Sequence, residues 1–310
     1  MLKRSFNISN PCKGAERLVM SYLQALDSPR ALTVWLLFKY FEHDQLLKLE
    51  VDPHRYEDPT QFQKDYLATS LLKKCKELVT SYVPRNEALA KFHEAEMMCL
   101  ETNRRVRTRT PRGVVHEVIH RATENIRELL PPVDKSLTDS LLSLGAWGSG
   151  VTSSCKGKFL SHYDKLAAKP QATPALLSAV GESFLSSFPS WSAAHPQGIA
   201  AVEGNTIATV PKNAKTDRMI AVEPSVNSFL QRGVGKIIRK QLFKWGINLH
   251  SQSLNQTMAR EGSLTGRYAT IDLSSASDTM AQATVELLLP SEWFSLLSYL
   301  RSPYYKDSKG

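Results

Sequence analysis

Cysteine is scarce and unpaired in this chain: Cys12, Cys75, Cys99 and Cys155 stand far apart with no CxxC spacing. That pattern argues against a disulfide framework and for reduced, buried thiols in a cytoplasm-like compartment. Long apolar runs are missing too, and the best of them, Val34 to Phe38, is far too short to span a bilayer. The opening MLKRSFNISN holds neither an apolar core nor a small-residue cleavage site, so a secreted chain is not expected. There is no internal repeat and no low-complexity tract. The Gly/Ser-rich stretch Leu141 to Ser154 is not followed by GK[ST], which excludes a phosphate loop and leaves a subdomain joint. Acidic charge is the scarcer sign, 30 Asp plus Glu against 39 Lys plus Arg, for a net charge of +9.

What is present suffices for a substantial core, since 310 residues are 42% hydrophobic and have the length of one large domain or two to three subdomains. The first two hundred residues have mainly helical patterning. Helices are expected over Ala15 to Leu26, Pro29 to Phe41, Pro59 to Tyr82, Pro84 to Arg105, Val114 to Leu130 and Thr173 to Phe188, with Pro189 to Gly204 a loop. In the fourth, Met97 and Met98 are expected to fill core.

Two features of this half carry chemistry. Arg104 to Arg112, RRVRTRTPR, places five arginines in nine residues, suited to phosphate oxygens and equally to an exposed basic loop. His116-Glu117-Val118-Ile119-His120 fits the HExxH pattern of zinc hydrolases, in which two His one helical turn apart bind the metal and Glu activates water. No distant third ligand or zincin flank follows it, so two His on a half-buried helix face account for it better.

The positive charge is concentrated later. From Gly204 to Arg267 ten basic residues face three acidic ones, a balance that favours a polyanionic partner such as RNA or a nucleoside triphosphate. Ile207 to Val210 and Met219 to Val222 are expected to pair as strands around Pro211 to Arg218, projecting Lys212, Lys215 and Arg218 from one turn. Such cations can neutralise a triphosphate as pyrophosphate leaves. Pro224 to Trp245 follows as a helix with an apolar stripe of Leu230, Val234, Ile237, Ile238, Leu242 and Trp245. Its other face carries Arg232, Lys236, Arg239, Lys240 and Lys244 in helical register, either a solvated face or one wall of an RNA channel.

The run YATIDLSSASDTM then sets two carboxylates about a Ser-rich turn. Tyr268 to Ile271 has the composition of a short buried strand, with Asp272 at its end, where a hard cation can be held. Ser277 or Asp278 can cap the helix that runs through Val285 to Leu289. Strand end and N-cap are also ordinary structural places for Asp.

The segments VPKNAKTDRMIAVEP, QRGVGKIIRKQLFKWGINL, NQTMAREGS, YATIDLSSASD and ELLLPSEWFSLLSYLRSP, in that order, resemble the replicase subunit of single-stranded RNA bacteriophages, the levivirus RNA-directed RNA polymerases. The likeness is nearly continuous from Gly204 to Pro303 and weaker upstream, at AEMMCLETNRR, the helix of His120 and WGSGVTSS. In that family the helix of His120 is structural.

The resemblance implies an α+β, mainly helical fold: the fingers and the beginning of the palm of a right-hand polymerase. Residues 1–203 would be the N-terminal helical region and fingers, 204–266 the fingers with the basic hairpin and helix, and 267–310 the start of the palm. It implies that Lys212, Lys215 and Arg218 hold the triphosphate, that Asp272 is a ligand of the catalytic Mg²⁺ pair, and that Asp278 reads the ribose 2′-hydroxyl. Implied partners are template and product RNA, ribonucleoside triphosphates, host elongation factors Tu and Ts and a ribosomal protein, with no membrane, in the cytoplasm of an infected bacterium. Segments like SMGNG and GDD are absent, so the expectation is a C-terminally truncated chain, inactive alone. The rival readings are a non-catalytic RNA-binding fragment and, through His116, Glu117 and His120, a zinc hydrolase.

Overall fold

The computed structural model describes residues 13–307; Cys12, the opening MLKRSFNISN and the final Ser308 to Gly310 lie outside them. The chain divides into two compact units. One runs to Lys91 and takes in Thr209–Met219, and the other comprises Phe92–Ala208 and the chain from Ile220 onward.

The first unit holds α1 (Lys13–Leu26), α2 (Pro29–Lys39), α3 (His43–Leu46) and α4 (Pro59–Ser70). Its helix starts follow from local chemistry. Ser28 accepts from the Ala31 N–H at 3.1 Å and Asp58 from the Thr60 N–H at 2.8 Å, each directly before a proline that suits the first helical position. Ser28 also donates to Asp65 at 2.6 Å, and Asp65 accepts from Tyr56 at 2.9 Å and Gln61 at 3.0 Å. A buried carboxylate with three donors is compensated for its lost hydration. Leu23, Ala31, Val34, Leu46, Ala68, Leu72 and Leu78 form the core beneath. The helix expected over Pro59 to Tyr82 stops at Ser70, and turns follow it. Leu72 and Leu78 instead drop into the core from irregular chain, so burial outweighs the helical pattern there.

From the first unit into the second runs α5 (Pro84–Thr108), followed by α6 (Val114–Leu129), α7 (Lys135–Leu144), α8 (His162–Ala167), β1 (Gln171–Ala172), α9 (Pro174–Ser186), α10 (Pro189–Ala194) and β2 (Ala200–Ala201). The hairpin strands β3 (Gly204–Pro211) and β4 (Asp217–Val222) come next, then α11 (Ser225–Lys244), α12 (Ser253–Thr265), α13 (Gln282–Leu288), α14 (Ser291–Leu300) and β5 (Tyr304–Asp307). The fold is thus mainly helical α+β. The loop expected over Pro189 to Gly204 contains α10, which Pro189 starts and buried Trp191 holds, and α7 takes the first four residues of the expected Gly/Ser joint.

The second unit is built on α11. Val226, Asn227, Phe229, Leu230, Gly233, Val234 and Ile237 of that helix are buried. Phe229 packs edge to face on Phe184 and Phe188 and tilted on Trp147 and Trp191, with ring centroids 4.9 to 6.4 Å apart. Asn227 is fully buried and satisfied: it accepts from the Thr173 N–H at 3.0 Å and donates to Thr173 Oγ1 at 3.0 Å and to Leu300 O at 3.1 Å. The expected stripe is therefore buried at Leu230, Val234 and Ile237 and frays at its end, where Trp245 is 46% exposed.

A sheet ordered β4-β3-β5 pairs β5 parallel to β3, with Gly204 opposite Tyr304 and Ile207 opposite Asp307. A Cβ on Gly204 would stand 1.9 Å from Tyr304 O, so only glycine allows that approach.

Three expectations about burial are corrected. Met97 and Met98 are 64% and 54% exposed, because no described element covers that face of α5. His116 and His120 are exposed rather than half-buried, on a helix with no buried residue among those described. Of the described cysteines only Cys155 is buried; Cys75 and Cys99 are partly exposed, and all three are free thiols.

Candidate nucleotide and RNA interface

The hairpin tip is closed by one of its own side chains. Asn213 Oδ1 accepts from the backbone N–H of Lys215 at 3.0 Å and of Thr216 at 2.9 Å, an Asx turn that closes the loop. Ala214 is buried in the first unit's core; its N–H donates to Cys75 O at 3.1 Å and its C=O accepts from Thr80 Oγ1 at 3.1 Å. With the backbone fixed, Lys212 and Arg218 point to solvent and Lys215 Nζ stands 5.5 Å above the Tyr82 ring. None of the three cations has an ion-pair partner among the described residues. The result is a closed turn in which three cations outnumber one carboxylate, Asp217. The predicted strands form and run longer than expected, β3 to eight residues and β4 to six.

In the second unit the five cations of α11 are all exposed. Lys236 Nζ donates to Leu144 O at 2.9 Å, and the Arg232 guanidinium lies over Gly148, where a Cβ would stand 2.7 Å from Nη1. Arg239, Lys240 and Lys244 remain open to a ligand.

Tyr268 to Ile271 does not form the expected strand. Ile271 is 82% and Leu273 69% exposed, and a β-prone segment with no ladder partner among the described residues has nothing to hold it extended. Asp272 is therefore an exposed carboxylate, not one at the end of a core strand. It makes no hydrogen bond to any described residue. Its oxygens are open to a hard cation such as Mg²⁺, which takes one or two carboxylates and otherwise water and phosphate oxygens. No cluster of three metal-ligating side chains exists among the described residues.

Ser274 to Thr279 form a turn in which the Asp278 N–H donates to Ser275 O at 3.0 Å. Ser277 donates to Asp278 Oδ1 at 3.1 Å, and the Cys99 thiol to Asp278 O at 3.5 Å. Asp278 lines an open cavity of 480 Å³ together with Cys99, Asn103, Phe294 and Arg301; Asp272 does not. Neither Ser277 nor Asp278 caps α13. The first turn of that helix is satisfied from elsewhere, as Asn103 of α5 accepts from the Ala283 N–H at 2.7 Å.

His116 and His120 stack with ring centroids 6.3 Å apart, and His120 pairs with Glu124 at 3.5 Å, while Glu117 is bound to Arg121 at 2.9 Å. The would-be general base is thus held by a guanidinium.

The sequence reading passed over Glu223. Its carboxylate accepts from Ser302 at 2.6 Å, Asn205 at 2.8 Å and Gln231 at 3.3 Å, joining β3, α11 and the chain leaving α14. A lone Glu before a proline gives no local signal of such a junction.

Residues 30–306 match the family model "RNA replicase, beta-chain". The chain is 34% identical over 278 residues to the RNA-directed RNA polymerase subunit beta of Qbeta virus (strain MX1), covering 84% of this chain and 46% of that relative. It is 56% identical over 98 residues to the corresponding subunit of Enterobacteria phage SP, 32% of this chain and 17% of that one. The beta chain of Escherichia phage MS2 is 50% identical over 103 residues, 33% and 19% of the two chains. The chain spans less than half the length of these relatives.

Proposed function

The chain belongs to the RNA replicase beta-chain family, and from that premise we propose that it is part of an RNA-directed RNA polymerase that copies a phage genome from ribonucleoside triphosphates. The observation that carries this reading is the hairpin tip, a closed turn that sets Lys212, Lys215 and Arg218 against a single carboxylate, Asp217. A triphosphate is the polyanion such a turn fits: the three cations offset its charge and lower the barrier to pyrophosphate departure without covalent chemistry.

In this reading 1–203 and 204–266 act as fingers of a right-hand polymerase and 267–310 begins its palm. Asp272 would hold Mg²⁺, which when bound offsets charge on the attacking and leaving oxygens of an in-line displacement. Asp278 accepts a hydrogen bond from the ribose 2′-hydroxyl and so selects ribonucleotides. Arg232, Lys236, Arg239, Lys240 and Lys244 run along template or product RNA. The partners are RNA, ribonucleoside triphosphates, host elongation factors Tu and Ts and a ribosomal protein, in the cytoplasm of the infected cell; no described helix is long and apolar enough to cross a membrane.

The test is template-directed ribonucleotide incorporation by a polymerase of the relatives' full length that carries this chain as its matching part. Lys212→Ala/Lys215→Ala/Arg218→Ala should raise KM for nucleotide at least tenfold, equivalent to about 1.4 kcal/mol, with template affinity unchanged. No incorporation by the unsubstituted assembly overturns the function, and an unchanged KM overturns the role of the hairpin.

A further inference from the structure

The arginine-rich elbow between α5 and α6 is not used by the site above, and we propose that it is a second RNA-backbone contact, one that grips phosphates through guanidinium forks. The inference rests on the polymerase reading for its ligand class but on different residues. Arg105 and Arg107 occupy the last turn of α5 with Arg104 just before it, and Arg109 and Arg112 lie in the connection to α6. All five are exposed. From Glu101 to Glu117 no acidic residue intervenes.

Three nearby carboxylates, Glu286, Glu117 and Glu124, are already committed, and Glu101, one turn back in α5, makes no ion pair with these arginines. Arg107 alone of the five is paired, to Glu286 at 3.4 Å. Glu117 is bound to Arg121 and Glu124 to His120, both along α6. Arg104, Arg105, Arg109 and Arg112 have no acidic partner among the described residues. A helix C-terminus favours cations, which accounts for one or two of them but not for those beyond the helix.

The choice of cation points the same way. The chain has 18 arginines and 21 lysines, yet between Lys91 and Lys135 all seven cations are arginine. A surface that needed only solubility would mix the two. Arginine differs in offering a planar fork that binds phosphate oxygens bidentately. Between Arg104 and Arg112 there is also no exposed large apolar side chain to anchor a protein partner; Val106 is half-buried. Val114, Val115 and Val118, exposed just beyond, supply the competing possibility of an acidic protein.

The experiment measures binding of a fluorescein-labelled single-stranded RNA of mixed sequence to the full chain across a salt series. Arg104→Gln/Arg105→Gln/Arg109→Gln/Arg112→Gln should lower the slope of log K against log salt by about 3, since each phosphate contact on a single strand contributes about 0.7. At about 0.1 M salt the affinity should fall on the order of a hundredfold. The corresponding quadruple Lys variant should keep the wild-type slope while losing several-fold in affinity, which separates fork geometry from charge. Unaltered circular dichroism guards against misfolding. An unchanged slope in the Gln variant with intact wild-type binding overturns the elbow alone. Absence of wild-type RNA binding overturns the elbow and the polymerase reading together. Retained RNA binding with lost binding to polyglutamate assigns the elbow to an acidic protein instead.

Discussion

Two glycines of α11, Gly233 and Gly235, should respond differently to alanine. Gly233 is buried where α11 crosses α7, and a Cβ there would stand 2.7 Å from Leu141 O and 2.8 Å from Leu141 Cδ1. Gly235, in the same helix, has no neighbouring atom within 4 Å of its added Cβ. Replacing glycine by alanine inside a helix gains about 0.8–1 kcal/mol at either position, because the unfolded chain loses freedom and the helix does not. At Gly235 nothing opposes that gain. At Gly233 the obstructing oxygen is backbone and cannot rotate away, so the helices must part, a strain of about 1–3 kcal/mol. The propensity contribution is common to both variants, and their difference therefore isolates the steric cost. Urea unfolding followed by circular dichroism should place Gly235→Ala about 0.5–1 kcal/mol above the unsubstituted chain and Gly233→Ala at least about 1 kcal/mol below Gly235→Ala. Equal midpoints for the two variants would refute the close crossing of α7 and α11.

Two further outcomes follow from local contacts. Asn103→Ala removes the acceptor of the Ala283 N–H and should cost about 0.5–2 kcal/mol, the usual worth of an N-cap; faster amide exchange at the start of α13 is the check, and unchanged exchange would deny the cap. Asp164 closes the capping box of α8 by accepting from Ser161 Oγ and N–H, and the Ser161 side-chain bond, then its backbone bond, hold the carboxyl below its ordinary range. A depressed folded pKa stabilises above the unfolded value and loses that contribution as pH falls through the folded one. Ser161→Ala should therefore flatten the acid limb of stability, and raise the Asp164 pKa read by NMR titration towards that of a free aspartate; a pKa unmoved by the substitution would contradict the assigned cause.

What could be read from sequence was local. Ser28-Pro29 and Asp58-Pro59 announce helix starts through their own side chains, and the alternation around Pro211 to Arg218 announces the hairpin, whereas α7, which Asp134 caps, was not expected. Apart from helices such as α7, α8, α12 and α14, the parts that were missed depend on partners remote in the chain. β5 pairs with β3 across a hundred residues, from Gly204 to Tyr304, and α13 takes its cap from Asn103, 180 positions away. Glu223 gathers donors at positions 205, 231 and 302, a set no spacing rule connects. The strand reading of Tyr268 to Ile271 failed for the complementary reason: β-propensity describes a residue's fit to a ladder, and no described neighbour supplies one. The hairpin cations were legible as a group because one turn carries them all.

Substitution of Asp272 tests the central claim most directly. In a polymerase of the relatives' length carrying this chain, Asp272→Asn keeps the size of the side chain and removes the charge a hard cation requires. Mg²⁺-dependent ribonucleotide incorporation on an RNA template should fall to background while RNA binding is retained; incorporation at the unsubstituted rate would contradict the account.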